Sequence, residues 1–235
     1  MKTRSILVLP LLLSIAAAQT AQPPKPMART DVYHVHFVKA ALGQASQLAD
    51  FLKTQNPKAP MPGHYLVLRH QQGDAWDFVA IEHLGTKSVT IDAAGTPAPP
   101  AARDATDWHT DTFVSGPPWA DFARAMALEG EAAAKAAGSV YVVSVYRAAP
   151  GHREQLEKVL ADTRAGGGAA GNVLLQHLEG GPWQYLSVAR YNSWGDFATS
   201  NAKSTAETQK GAGDWFEIRN HVAFHNDTIT DRMTP

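Results

Sequence analysis

The chain has 235 residues, with 21 basic and 22 acidic side chains, ten histidines and no cysteine. That balance argues against nucleic acid or an acidic polymer as the main partner. The missing cysteine excludes disulfides and an acylated N-terminal anchor, so all stability must come from packing.

Residues 1–18 read as a secretory signal peptide. Lys2 and Arg4 precede an apolar run from Ile6 to Ile15, broken only by Pro10 and Ser14, and Ala16, Ala17 and Ala18 supply small residues for cleavage after Ala18. The run is too short for a comfortable membrane span. The mature chain is therefore expected to be soluble and periplasmic or secreted, with no membrane contact. It keeps 19 basic against 22 acidic residues. Residues 19–30 include the Pro-rich stretch Gln22 to Arg29 and read as a flexible arm.

Val32 to Ala40 alternates like a strand, with Tyr33, Val35 and Phe37 on one side and His34, His36 and Val38 on the other. After Gly43, Ala45, Leu48, Ala49 and Leu52 recur at helical spacing. The segments His64 to His70 and Trp76 to His83 read as two further strands joined by a Gly-containing turn. Thr86 to Asp107, rich in Ala, Pro, Thr and Gly, reads as an irregular insertion, 86–107. A short strand, Trp108 to Val114, and an Ala-rich helix, Pro118 to Ala137, end the first unit.

The pattern then returns. Val140 to Leu160 repeats Val32 to Leu52 at a constant offset of 108, with nine of twenty-one positions identical. Asn172 to His177 and Trp183 to Tyr191 repeat the two strands, and the offset falls to 107 by Trp183, which suggests one deletion in the turn. A helix from Trp194 to Lys210, with Ser193 and Asp196 at capping-box spacing, and a strand near His221 to Ile229 complete the second unit. A tandem repeat is expected, with units 31–138 and 139–235.

Two short echoes accompany it: Trp119 to Phe122 with Trp194 to Phe197, and His109 to Thr112 with His225 to Thr228. They fall in opposite order in the two units, so both cannot mark equivalent positions. The Trp-x-Asp-Phe pair is favoured as the mark of the second helix.

Each unit thus reads strand, helix, strand, strand, helix, the ferredoxin-like split pattern of an α+β fold. On Val140 to Val143, Ala149-Pro150-Gly151 with its following helix, and Val188 to Tyr191 leading to Trp194-x-Asp-Phe197, the chain resembles the dimeric α+β barrel superfamily. That superfamily includes the antibiotic-biosynthesis monooxygenase-like and NIPSNAP-like families. The resemblance implies two ferredoxin-like repeats pairing their sheets into an intramolecular dimeric α+β barrel, a monomer with an internal pseudo-dimer, and a small-molecule cavity between the sheets.

The faces follow from comparing the units. Tyr33, Val35 and Phe37 stay apolar as Tyr141, Val143 and Val145, so that face is expected under the helices. The opposite face, with His34, His36, Trp76, Phe78 and Glu82 from one unit and Ser144, Tyr146, Trp183 and Tyr185 from the other, is expected to line the cavity.

Three readings follow. A non-catalytic binder of a small apolar or aromatic molecule fits the aromatic face and the absence of a recognisable catalytic motif. Its bland counterpart is a solid core of the same aromatic residues. The resemblance implies instead a monooxygenase-like enzyme, either cofactor-independent or haem-dependent, although no haem-degrading residue set maps onto this chain. A metal site is the third, from His34 and His36 or from His221, His225 and Asp227, whose spacing suits ligation from one strand face. Surface histidines bonded only to water are the ordinary alternative. No cofactor is required by the sequence. Asp111 and Asp227 are assigned equally to turn capping and to ligand holding.

Overall fold

The computed structural model describes residues 28–54, 57–86, 100–166 and 168–233. The expected leader, most of the arm and residues 87–99 of the expected insertion lie outside the described residues. Among the described residues no helix is long and apolar enough to cross a membrane.

Eight antiparallel strands close on themselves. They are β1 (Asp31–Ala40), β2 (Tyr65–Gln72), β3 (Phe78–Thr86), β4 (Thr106–Gly116), β5 (Val140–Ala148), β6 (Gly171–Glu179), β7 (Tyr185–Tyr191) and β8 (Val222–Arg232). Around the barrel they run β1-β3-β2-β8-β5-β7-β6-β4, so β1 to β4 form one wall, β5 to β8 the other, and β2–β8 and β4–β6 are the two seams. Closure gives every strand a partner on both sides along at least part of its length.

The expected sidedness of the sheet is inverted. Tyr33, Val35 and Phe37 do not lie under helices but inside the barrel, in one cluster with Leu66, Val79, Ile81, Tyr141, Val143, Leu175, Leu186 and Val188. Both walls share one interior, so both must be apolar there; an eight-stranded barrel is just wide enough for side chains to fill it. Each large apolar side chain buried in this way stabilises the fold by roughly 1.5–3 kcal/mol relative to exposure.

The helices pack outside on different residues. Helix α1 (Ala45–Lys53) covers Val38 and Phe78 through Leu48 and Ala49, while α5 (Arg153–Gly166) covers Tyr146, Leu174 and Tyr185 through Leu156 and Leu160. Of the expected insertion, residues 100–107 form the short helix α2 (Pro100–Asp104) and the start of β4.

The expected Pro118 to Ala137 helix is two helices, α3 (Trp119–Met126) and α4 (Gly130–Lys135). Ala127 turns into the left-handed region at φ 54°, where the Ala127 and Leu128 amides close on carbonyls of α3 and Leu128 enters the core. Trp119, Phe122 and Met126 belong to the same cluster as the barrel interior, so α3 closes one end of it.

Both walls hold α3. Asp31 accepts hydrogen bonds from His83 Nε2 at 2.8 Å and from the Trp119 amide at 3.2 Å, and His64 stacks on the Trp119 ring at 4.4 Å. From the other wall, Arg190 donates to the Ala125 carbonyl at 2.9 Å and Tyr141 to that of Met126 at 3.0 Å.

In the second half α6 (Trp194–Gln209) begins as expected, with Ser193 Oγ accepting from the Asp196 amide at 3.1 Å. The short helix α7 (Asp214–Arg219) follows it. The two Trp-x-Asp-Phe stretches are not equivalent: one opens α3 after β4, the other opens α6 before β8. Nor does the lost residue fall in the hairpin turn. Residues 71–75 and 178–182 match in length between His70 and Trp76 and between His177 and Trp183, so it falls at the head of the strand.

Candidate metal centre

Rows of outward-facing side chains cross the first wall. Strand β1 lies between β3 and β4, and its register sets Glu82, His34 and Phe113 in one row, and Ala80, His36 and Asp111 in the next. A third row holds Phe78, Val38 and His109. Since side chains alternate across a strand, His34 and His36 share a face, and the register delivers Asp111 beside them.

Asp111 Oδ1 sits 2.8 Å from His34 Nε2 and 2.6 Å from His36 Nδ1, and its Oδ2 is 3.3 Å from His109 Nε2. The ligand-capable atoms of His34, His36 and Asp111 all lie within 4.8 Å of one another, and no other such group of three occurs among the described residues. Behind the group, His34 Nδ1 is 3.3 Å from Glu82 Oε2, and the His34 ring stacks on Phe113 at 5.3 Å. The histidine side chains are about one quarter exposed and Asp111 nearly half, so the cluster opens to solvent on one side.

Burial opposes charging His34, but hydrogen bonds to Asp111 and Glu82 outweigh it and push the imidazole up to about 9. The same bonds from His34 and His36 hold the Asp111 carboxyl far below the usual carboxylate range. One carboxylate thus faces two imidazoles at distances where a divalent cation could replace the protons. Two imidazoles and a carboxylate on one side of an ion leave the remaining positions open, a set suited to first-row transition metals. With Nε2 turned to the ion, His34 Nδ1–H would donate to Glu82, the usual orienting partner of a ligating histidine.

The residues expected to line one cavity are divided between two places. Trp76 and Trp183 belong to the barrel interior, whereas Phe78, Tyr146 and Tyr185 pack outside beneath helices. Of that set His34, His36 and Glu82 come together on the outer face of the first wall, and Tyr146 and Tyr185 pair beneath α5 on the second. Ser144 is buried on β5 opposite Asp227 and Ser187.

The expected second metal set also separates. His221 Nδ1 faces His152 Nδ1 at 3.0 Å and lines a groove of about 370 Å³ with Gln155, Lys158, Asp162, Asp214 and Glu217. His225 instead stacks on Tyr146 at 6.0 Å, beside Asp227 at 3.6 Å and Arg219 at 3.3 Å.

Asp111 and His109 were the residues sequence reading undervalued. Their signal was the His-x-Asp-Thr echo: Asp111 faces His36 across β4 and β1, and Asp227 faces Ser144, the residue 108 positions on, across β8 and β5.

No family model matches the chain, and no curated protein matches it. Solved structures do. A "putative monooxygenase" from Lactobacillus acidophilus aligns at TM-score 0.53 and 12% identity, over 87% of this chain and 95% of that one. An "anthrone oxidase-like protein" aligns at 0.57 and 11%, over 88% and 95%. A second "putative monooxygenase", from Fusobacterium nucleatum, aligns at 0.57 and 8%, over 88% and 94%. Likeness at this identity shows a shared fold and leaves the reaction to the site.

Proposed function

We propose that this chain binds one divalent transition-metal ion through His34, His36 and Asp111 on the outer face of its barrel. The observation that carries the reading is the convergence of two imidazoles and one carboxylate within 4.8 Å. Zn²⁺, Fe²⁺, Co²⁺ and Mn²⁺ are the candidate ions, since the donors mix borderline nitrogen with hard oxygen. Calorimetric titration of the metal-free protein with Zn²⁺ and Mn²⁺ tests it. One site per chain is expected, lost in His36→Ala; unchanged binding by that variant would sink the reading.

A second reading, a monooxygenase-like enzyme, is supported by the names of the similar structures together with the open positions such a metal would have. Oxygen uptake with quinol-type substrates by iron-loaded protein tests it, and a Soret band with added haemin would favour haem instead. Any small aromatic substrate would approach from the outer face beside Phe113, since side chains fill the barrel interior.

We read the two walls as products of a tandem duplication, and the protein as an exported monomer with an internal pseudo-dimer. The repeat at offset 108, the leader at 1–18 and the closed barrel support this reading.

A further inference from the structure

The two seams of the barrel are closed differently. At β2–β8 the Arg69 guanidinium grips the Asp231 carboxylate through two bonds, 3.0 and 2.5 Å long, directly across the register. At β4–β6, where Phe113, Val114 and Ser115 face Glu179, His177 and Gln176, no ion pair crosses among the described residues. The β4–β6 seam is the one next to the histidine cluster.

At each seam the hairpin turn of one half rests on the last strand of the other. Gly73, at φ 136°, lies against the Asp227 carbonyl and Thr228, and Gly180, at φ 102°, lies against the Asp111 carbonyl and Thr112. A methyl group at either position would collide with that carbonyl, and both conformations are ones that favour glycine.

The two turns differ in their latch. The Gly181 amide donates to His177 Nε2 at 2.9 Å, and the His177 ring packs on Trp183 at 5.2 Å. The corresponding amide in the first half, that of Asp74, donates to Thr228 Oγ1 at 3.2 Å instead.

We propose that Gly180, seated by the His177–Gly181 latch, is a positioning residue for the metal centre: it fixes the Asp111 backbone, so that metal binding and closure of the β4–β6 seam are coupled. The inference rests on the reading of His34, His36 and Asp111 as ligands. The second half thereby contributes to a site whose donors all come from the first. By linkage, whatever the closed seam adds to metal affinity, the metal adds to seam closure.

The pseudo-equivalent glycine is an internal control. Gly180→Ala and Gly73→Ala each introduce a methyl group at a positive φ and a collision with a backbone carbonyl, but only one of them acts on a ligand strand. Titrated with Zn²⁺ alone, Gly180→Ala is expected to bind about tenfold or more weakly than wild type, in the range for loss of an orienting contact. Gly73→Ala is expected to keep wild-type affinity while losing stability. Zn²⁺ should also slow amide exchange at 113–115 and 176–179 more than at 68–72 and 229–232.

If Gly180→Ala does not fold, His177→Phe decides: it keeps a ring on Trp183, removes the latch acceptor, and should weaken Zn²⁺ binding and abolish the seam-specific slowing. Wild-type affinity in whichever variant folds, or equal slowing at both seams, would overturn the coupling while leaving the metal site standing. Failure of wild type to bind Zn²⁺ would overturn both.

Discussion

The outer faces of the two walls have the same register and different chemistry. Across β3, β1 and β4 the rows read Glu82-His34-Phe113 and Ala80-His36-Asp111; across β7, β5 and β8 they read Ala189-Val142-Ile229 and Ser187-Ser144-Asp227. The carboxylate is present in both walls; in the first it meets two imidazoles from the neighbouring strand, in the second only His225 of its own strand, at 3.6 Å. A half-exposed carboxylate beside one imidazole makes at most a surface pair; the same carboxylate opposite two imidazoles becomes a chelating group.

Making the first wall like the second should therefore have the largest effect. The double substitution His34→Val, His36→Ser gives it the residues found at Val142 and Ser144. Metal affinity is expected to fall more than about 100-fold, since loss of an orienting partner alone costs 10–100-fold. Competition with a chromophoric chelator measures this, and circular dichroism should show the barrel intact.

The two clamps on α3 offer a second contrast. In the first half a buried imidazole and carboxylate hold it, with the His83 and Asp31 side chains 4% and 9% exposed; in the second, Arg190 donates to the Ala125 backbone carbonyl and to Asn192 Oδ1. Asp31→Ala should cost about 3 kcal/mol, because it strands the His83 ring and the Trp119 amide in the interior. Arg190→Ala should cost about 2 kcal/mol, with the Ala125 carbonyl as the main loss. Urea unfolding at pH 7 measures both, and a reversed order would break the comparison.

Glu82 distinguishes the halves more finely, since Ala189 stands in its place. Glu82→Gln keeps the shape and weakens the acceptor behind His34 Nδ1. Metal affinity should drop about tenfold with no change in stoichiometry.

The remaining contrast concerns pH. Burial lowers the pKa of His83, more than the Asp31 bond restores, so the unfolded chain takes up its proton first as pH falls. The associated stability is complete above about 6.5, the unfolded value, and is lost as pH falls through the lower folded value. His34 has the opposite sign. With its folded value raised to about 9, its contribution to the metal-free protein is complete below about 6.5 and is lost as pH rises through 9. Denaturant midpoints across this range should show both slopes, and the His34→Val, His36→Ser variant should lack the alkaline one.

How much of this was legible in the sequence depended on what the repeat could report. Alternation and spacing located the strands, and the Ser193 cap located α6. The shared apolarity of Tyr33 and Tyr141, however, marked only that both halves pack against something common. In a closed barrel that something is the interior, which periodicity within one strand cannot distinguish from the underside of a helix.

Likewise His34 and His36 were visible as a pair sharing a face, but Asp111 lies 75 residues beyond His36 and joins them only through strand register. The break in the Ala-rich helix was hidden for a different reason. Ala127 is a good helix former, and the tertiary demand to bury Leu128 overrides its preference.

The most direct measurement of the central claim is metal content after gel filtration, for the chain exposed to a mixture of Zn²⁺, Mn²⁺ and Fe²⁺ under anaerobic conditions. The account predicts one transition-metal ion retained per chain by wild type and none by the His34→Val, His36→Ser variant. Retention by neither protein, or equal retention by both, would contradict it.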